Sequence, residues 1–156
     1  MSLQMKKFLI CVLIILGFSF LADAKSIKHT FNIEAAQLIG SALKAPDSKV
    51  SGGYVVCLTK PGEGVKFSDI PASGKLAIRY ASASVGTISI TVNNQLARKV
   101  NIHSSGNLMG SFLYSIIDIA IPNHSSLTIS LKDNYVTMNI DKIIVGKDDL
   151  GLPPDS

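Results

Sequence analysis

The sequence contains no tryptophan, and phenylalanine and tyrosine together make up only 6% of its 156 residues. It has two cysteines, Cys11 and Cys57, and charged residues account for 17% of the chain, with a formal net charge of +4. Because Cys11 lies in an apolar leader, Cys57 alone remains for the folded part, which excludes an internal disulfide and a cysteine-based zinc site there. The mild charge is not gathered into a basic cluster, so nucleic acid is excluded as an expected partner.

Sequence signatures of catalysis are also missing. There is no GxSxG, HExxH, glycine-rich phosphate loop or cysteine pair. The three histidines fall at predicted turns or strand edges, none with a second ligand at metal-binding spacing: His29, His103 and His124. We therefore predict that the chain is not an enzyme, with a dispersed carboxylate site, including Glu63, as the alternative.

The amino-terminal residues resemble a secretory leader. Lys6 and Lys7 precede the apolar run FLICVLIILGFSFL, and small residues follow at Ala22 and Ala24. The run is shorter than the roughly 20 residues that a membrane-spanning helix needs, so we predict a signal peptide over 1–24, cleaved after Ala24, rather than an anchor. This predicts a protein that is not an integral membrane protein and is secreted to the extracellular space, or to the periplasm in a Gram-negative source.

Beyond the leader, short β-type runs alternate with turn sequences. KLAIRYA and TISITVN show clean two-residue alternation, and SGG, KPGEG, PASG, HSSGN and PNHSS carry glycine, proline and asparagine between the runs. The pattern predicts an all-β fold, an antiparallel jelly-roll β-sandwich of about nine strands over 25–147. Only IEAAQLIGSALKA is permissive for a helix, and the polar, proline-rich end predicts a flexible tail over 148–156.

The last long apolar run, YVTMNIDKIIVG, carries two polar residues in alternation. Asn139 and Asp141 share one strand face, because side chains two residues apart point to the same side of a sheet. Periodicity shows only that both leave the core. The strand face that carries Asn139 and Asp141 is either an ordinary solvent-exposed surface or a binding site.

Longer stretches resemble a known family. GGYVVCLTKPGEGVKFSDIPASGKLAIRYASASVGTISITVNN and MNIDKIIV are similar to carbohydrate-binding modules of families 6 and 35, over about Phe31 to Val145. IRYAS, SSGNLMGSF and IDKIIV also resemble the carboxy-terminal sugar-binding-type domain of the insecticidal crystal δ-endotoxins. Both resemblances imply a jelly-roll sandwich.

The resemblance implies a sugar site at one end of the sandwich. Asn139 matches an asparagine of the family that contacts sugar, whereas Gly64 and the Leu108–Met109 pair stand where the family has aromatic rings. Sugars bind by laying an apolar face on such rings, so their loss removes much of the expected affinity. The remaining candidate ligand residues are Tyr54, Tyr135 and Glu63.

The resemblance also implies a structural calcium ion. Glu34 and Asp141 match two of the family's metal ligands, and Ala36 stands in place of a further carboxylate. Calcium prefers six or more oxygen ligands, some of which backbone carbonyls can supply. The alternative is that Asp141 caps a turn or pairs with Lys142 or Lys28.

These observations predict a secreted, non-catalytic, lectin-like module that recognises an extracellular polysaccharide or glycoconjugate. One alternative is a protein-interaction or structural sandwich that has lost its sugar site, in which case the partner is a protein. The other alternative is a toxin-like receptor-binding module.

Overall fold

A computed structural model describes residues 26–132 and 136–154. Within these ranges valine- and isoleucine-rich runs form eleven strands, and a single short 3₁₀ helix spans Ile33–Ala35. The strands are β1 (Lys28–Asn32), β2 (Gln37–Ile39), β3 (Leu43–Pro46), β4 (Tyr54–Leu58), β5 (Gly64–Ile70), β6 (Ser73–Ser82), β7 (Gly86–Val92), β8 (Arg98–Ile102), β9 (Leu113–Ile121), β10 (Ser125–Ser130) and β11 (Met138–Gly146).

The strands form two antiparallel sheets. The first has the order β3-β4-β11-β6-β9, and β1 also pairs with β11; the second has the order β2-β5-β10-β7-β8. Along one side of β11, residues 138–140 pair with β4 and residues 142–146 pair with β1. The predicted all-β antiparallel sandwich is thereby confirmed.

Alternation along the strands builds the core between the sheets. Leu76, Ile78 and Tyr80 of β6 are fully buried and pack in this core, while Arg79 points to the opposite side. The Tyr80 hydroxyl reaches the edge of the core, where it donates to the His103 carbonyl at 3.1 Å and accepts from the His103 amide at 3.0 Å. The two-residue period therefore separates core from surface as the sequence predicts.

The strand count exceeds the predicted nine because of one segment. The stretch predicted to permit a helix instead forms the 3₁₀ helix and two short strands, β2 and β3. β2 pairs with β5 and β3 pairs with β4, so hydrogen bonds to distant strands outweigh the local preference of an alanine-containing sequence.

The segment after β11 lies on the first sheet. Leu150 is buried against Ala77 and Ile144, and the carbonyl of Leu150 accepts a hydrogen bond from the Lys28 ammonium at 3.0 Å. Leu150 and Leu152 of the predicted tail thus contact the sandwich, while 155–156 and the predicted signal peptide over 1–24 lie outside the described residues. No described helix is long and apolar enough to span a membrane.

Candidate functional site

The side of the first sheet that faces away from the second sheet carries most of the predicted site. We call it the outer face and define it by Cys57, Arg79, Phe112, Asn139 and Asp141. Neighbouring strand residues on either side of these positions, such as Met138 and Ile140, belong to the core. The β6–β11 register shifts between Ile140 and Lys142, and this bulge lies at Asp141. Asn139 and Asp141 therefore leave the core on one side, as their spacing predicts.

Asn139 fastens the loop that joins β8 to β9, residues 103–112. Its side chain is 4% exposed, and its amide nitrogen donates to the Leu108 carbonyl at 2.8 Å and lies 3.9 Å from the Met109 sulfur. The residues that stand in place of an aromatic ring thus cover the asparagine. Sugar binding by Asn139 stays a prediction, and it requires this amide to exchange the Leu108 carbonyl for a sugar hydroxyl.

Asp141 forms a buried ion pair. Its carboxylate is 1% exposed and lies 2.6 Å from Nη1 of Arg79, whose guanidinium stacks 4.4 Å from the centre of the Phe112 ring. The Lys142 ammonium is 3.9 Å from the same carboxylate oxygen. Two cations therefore surround one carboxylate, and the ring adds a cation–π contact to the guanidinium.

Glu34 and Asp141, the predicted calcium ligands, differ in their surroundings. Glu34 is exposed on the 3₁₀ helix, and its carboxylate crowds Gly52, where an added Cβ atom would lie 2.8 Å from Oε1. No group of three or more metal-ligating side chains occurs within 26–132 and 136–154. As placed, Asp141 fits an ion pair better than a calcium site, because a guanidinium holds the carboxylate. Calcium binding stays a prediction that requires Asp141 to release Arg79.

Glu63 braces the turn between β4 and β5. It is 3% exposed and accepts hydrogen bonds from the Ser41 hydroxyl at 2.8 Å and the Thr59 amide at 2.6 Å. Burial raises the pKa of Glu63, but the hydrogen bonds from Thr59, Ser41 and Lys60 outweigh it and hold the pKa below its ordinary value. Both carboxylate oxygens of Glu63 accept hydrogen bonds within the protein. As placed, Glu63 stabilises the β4–β5 turn and is not free to bind a ligand.

Cys57 lies near this brace on the outer face. It is half-buried, and burial followed by the charge of Glu63 raises the pKa of the thiol. A raised pKa keeps the sulfur in its unreactive thiol form. Cys57 is thus a surface-lining residue of the sheet.

Tyr54 is separated from the other predicted ligand residues. Its ring is 45% exposed, and the Lys44 ammonium lies 5.6 Å from the ring centre. Cys57 pairs with Asn139, and Tyr54 precedes Cys57 by three residues, which places the ring about 10 Å further along β4 at strand spacing. Glu63 follows the opposite end of β4. Tyr54 therefore lies apart from Asn139 and Glu63, and Tyr135 lies outside the described residues.

Two features were missed at the level of sequence. Arg79 and Phe112 were not predicted as partners of Asp141; the signal was an arginine at a non-core position of KLAIRYA. The second feature is a groove of about 500 Å³ at the end of the sandwich opposite the 103–112 loop. Its lining comes from four separate segments, and no contiguous motif marks it.

Comparison with known proteins identifies relatives by structure alone. No protein-family model matches the chain, and no curated protein matches it. A family 35 carbohydrate-binding module from Clostridium thermocellum aligns with a TM-score of 0.64 and 22% identity, over 75% of this chain and 98% of that one.

Larger enzymes contain the same sandwich. An exo-β-1,3-galactanase from Phanerochaete chrysosporium, solved with galactose, aligns with a TM-score of 0.68 and 22% identity, over 80% of this chain. A GH87 α-1,3-glucanase from Streptomyces thermodiastaticus aligns with a TM-score of 0.64 and 19% identity, over 83% of this chain. The chain spans 30% of the galactanase and 28% of the glucanase. The predicted resemblance is confirmed at the level of fold: this chain has the β-sandwich fold of a carbohydrate-binding module.

Proposed function

We propose that this protein is a secreted, non-catalytic module that binds an extracellular polysaccharide or glycoconjugate. The observation that carries the proposal is the alignment with a family 35 carbohydrate-binding module over 98% of that module's solved chain. An alignment that leaves almost none of the module unmatched supports a unit of the same kind, more than alignment with part of a large enzyme would. Fold does not by itself imply function, so the proposal needs a binding test.

The surroundings of two buried carboxylates, Glu63 and Asp141, support the non-catalytic part of the proposal. Glycoside hydrolysis generally needs two carboxyl groups, one of them with a raised pKa so that it can donate a proton. Glu63 is buried, yet its pKa is lowered, and Asp141 is neutralised by Arg79. Glu63 therefore lacks the raised pKa of the required acid, and the Asp141 carboxylate is held in an ion pair. Secretion is supported by the sequence of the leader.

A glycan array tests the proposal. The protein is expressed with its leader, purified as the host processes it, shown to be folded by a cooperative thermal transition, and applied to polysaccharides and glycans with calcium and then with a chelator. Binding in both buffers supports the sugar-binding function alone, and binding lost in chelator supports calcium as well. A silent array from folded protein contradicts the proposal.

A protein partner is the second candidate, favoured by one surface. The edge strand β3 exposes Leu43 at 69%, and its neighbour β4 exposes Tyr54 at 45%. An edge strand with exposed apolar side chains is a template for pairing with another chain, although Pro46 at its end withholds one hydrogen-bond donor. A silent glycan array together with specific capture of a partner that Leu43→Lys abolishes would favour this function.

A further inference from the structure

The groove opposite the 103–112 loop is formed where four chain segments meet. It is lined by residues before and within β1, the β5–β6 turn, the β9–β10 turn and the residues after β11. Its volume of about 500 Å³ is within the range of small-molecule sites, roughly 300–1,000 Å³. Apolar surface comes from Ile27, Pro71 and Ala72, so the groove offers carbon atoms as well as polar groups.

Hydrogen bonds hold the walls of this groove in place. The Ser73 hydroxyl donates to the Pro71 carbonyl at 2.9 Å, and the Ser125 hydroxyl donates to the Pro122 carbonyl at 2.5 Å. Ser125 also accepts from the Asn93 amide at 2.9 Å. The carbonyl of Lys147 lies against Gly74, where an added Cβ atom would be only 2.9 Å away. The turns that line the groove are therefore preorganised.

Backbone strain lies beside the same groove. Asp69 and His124 each have a φ of 57°, which side-chain-bearing residues rarely adopt, and Nδ1 of His124 lies 2.5 Å from Oδ1 of Asp69. His124 follows the groove residue Asn123, and Asp69 lies two residues before Pro71. Strain of this kind is frequent at functional sites. Here the contact between the His124 and Asp69 side chains links the two turns.

The polar side chains in the groove differ from those of the outer face because they are unused. Among the described residues, His29, Asn123, Lys147 and Asp148 make no side-chain hydrogen bond or ion pair with one another or with other groups. By contrast, Asn139, Asp141 and Glu63 are each engaged within the protein. The groove thus presents an amide, an imidazole, an ammonium and a carboxylate to a ligand.

We propose that this groove is a saccharide-binding subsite and that it takes a neutral sugar. Sugar hydroxyls both donate and accept hydrogen bonds, which matches a groove with free donors and free acceptors. The charges of Lys147 and Asp148 balance each other. A carboxylated sugar would be attracted by Lys147 and repelled by Asp148, so its charge gives it no net advantage over a neutral sugar. Ile27 and Pro71 can contact the C–H face of a sugar ring. The inference rests on the proposed sugar-binding function and assigns it a position.

A matched pair of double variants tests this assignment. Asn123→Ala/Lys147→Ala removes an amide and a cation from the groove. Asn32→Ala/Lys66→Ala removes the same residue types elsewhere: the Asn32 side chain caps nothing, and Lys66 lies mid-strand in β5. Each protein is produced in a bacterial host, so that the Asn123-His124-Ser125 sequon is not glycosylated, and is titrated with the neutral oligosaccharide that the wild-type array identifies.

The expected result is a loss of affinity of about tenfold or more in the groove variant, since each lost hydrogen bond weakens binding several-fold, with less than twofold change in the control. Equal affinities in all three proteins overturn the groove assignment and leave the sugar-binding function standing. Equal losses in both variants also overturn the assignment. A wild-type protein that binds no glycan overturns the function and the assignment together. Matching thermal transitions show that both variants are folded.

Discussion

At the residue scale, the polar groups that stand out in the sequence stabilise the protein internally. The pattern of YVTMNIDKIIVG correctly predicts that Asn139 and Asp141 leave the core. It does not predict their partners, because Arg79 lies 62 residues from Asp141 and Leu108 lies 31 residues from Asn139. Contacts over such separations depend on which strands become neighbours, and that information is absent from local spacing.

The Arg79–Asp141 pair predicts strong coupling between two positions. Arg79→Met leaves the buried Asp141 carboxylate with only the Lys142 ammonium at 3.9 Å and should lower the free energy of unfolding by about 3 kcal/mol. Asp141→Leu should also destabilise, whereas the double variant should be more stable than the sum of the single losses predicts, by about 1 kcal/mol or more. Urea denaturation of the four proteins measures this coupling. Additive losses would contradict a buried ion pair.

Glu63 predicts a specific dependence of stability on pH. Because its pKa is lower in the folded state, the unfolded state binds the proton more readily. The stabilisation is complete above about pH 4.3, the ordinary pKa of glutamate, and disappears as the pH falls through the folded-state pKa. Glu63→Gln should therefore cost about 1.5–3 kcal/mol near pH 7 and should flatten the stability profile below about pH 4.3.

The control for this profile is Glu34→Gln, because the Glu34 side chain is exposed. The control is measured in chelator, so that the predicted calcium ion does not contribute to its stability. Urea denaturation across the acidic range gives the free energies of unfolding. A Glu63→Gln profile parallel to that of the wild type would show that the buried carboxylate does not carry this dependence.

At the element scale, strands were predictable where one side of the strand is core and the other is not. Residues 75–81 and 87–92 alternate cleanly and lie within β6 and β7. The segment from Ile33 to Pro46 was predicted less well, because its strands are three or four residues long and depend on pairing with β5 and β4. The same reasoning explains why the groove was missed: its lining residues lie in four separate segments whose meeting point is a property of the whole sandwich.

The 103–112 loop is an element that one side chain restrains. Asn139→Ala removes the hydrogen bond to the Leu108 carbonyl and should cost about 1–2 kcal/mol of stability. Amide hydrogen exchange should rise around Leu108 and Met109 and remain unchanged at His103, which Tyr80 holds separately. An equal rise in amide exchange throughout the domain would contradict a local restraint of the loop by Asn139.

At the scale of the whole molecule, the two ends of the sandwich have different characters. At one end the 103–112 loop covers Asn139 and the turn at Glu63 is internally bonded, so the predicted site residues are occupied by protein groups. At the other end a groove presents polar side chains that make no hydrogen bond or ion pair within the described part of the chain. We therefore assign the proposed sugar binding to the groove and not to the end near Asn139, where the expected rings are absent.

Titration of the ¹⁵N-labelled protein with neutral oligosaccharides, followed by amide chemical shifts, distinguishes the groove from the covered end. Binding at the groove should give saturable shifts at Ala72, Asn123, His124 and Lys147, with little change at Leu108 and Met109. Shifts confined to Leu108, Met109 and Asn139 would place the sugar at the covered end and contradict the groove assignment. The absence of any saturable shift across the oligosaccharide panel would contradict the sugar-binding function itself.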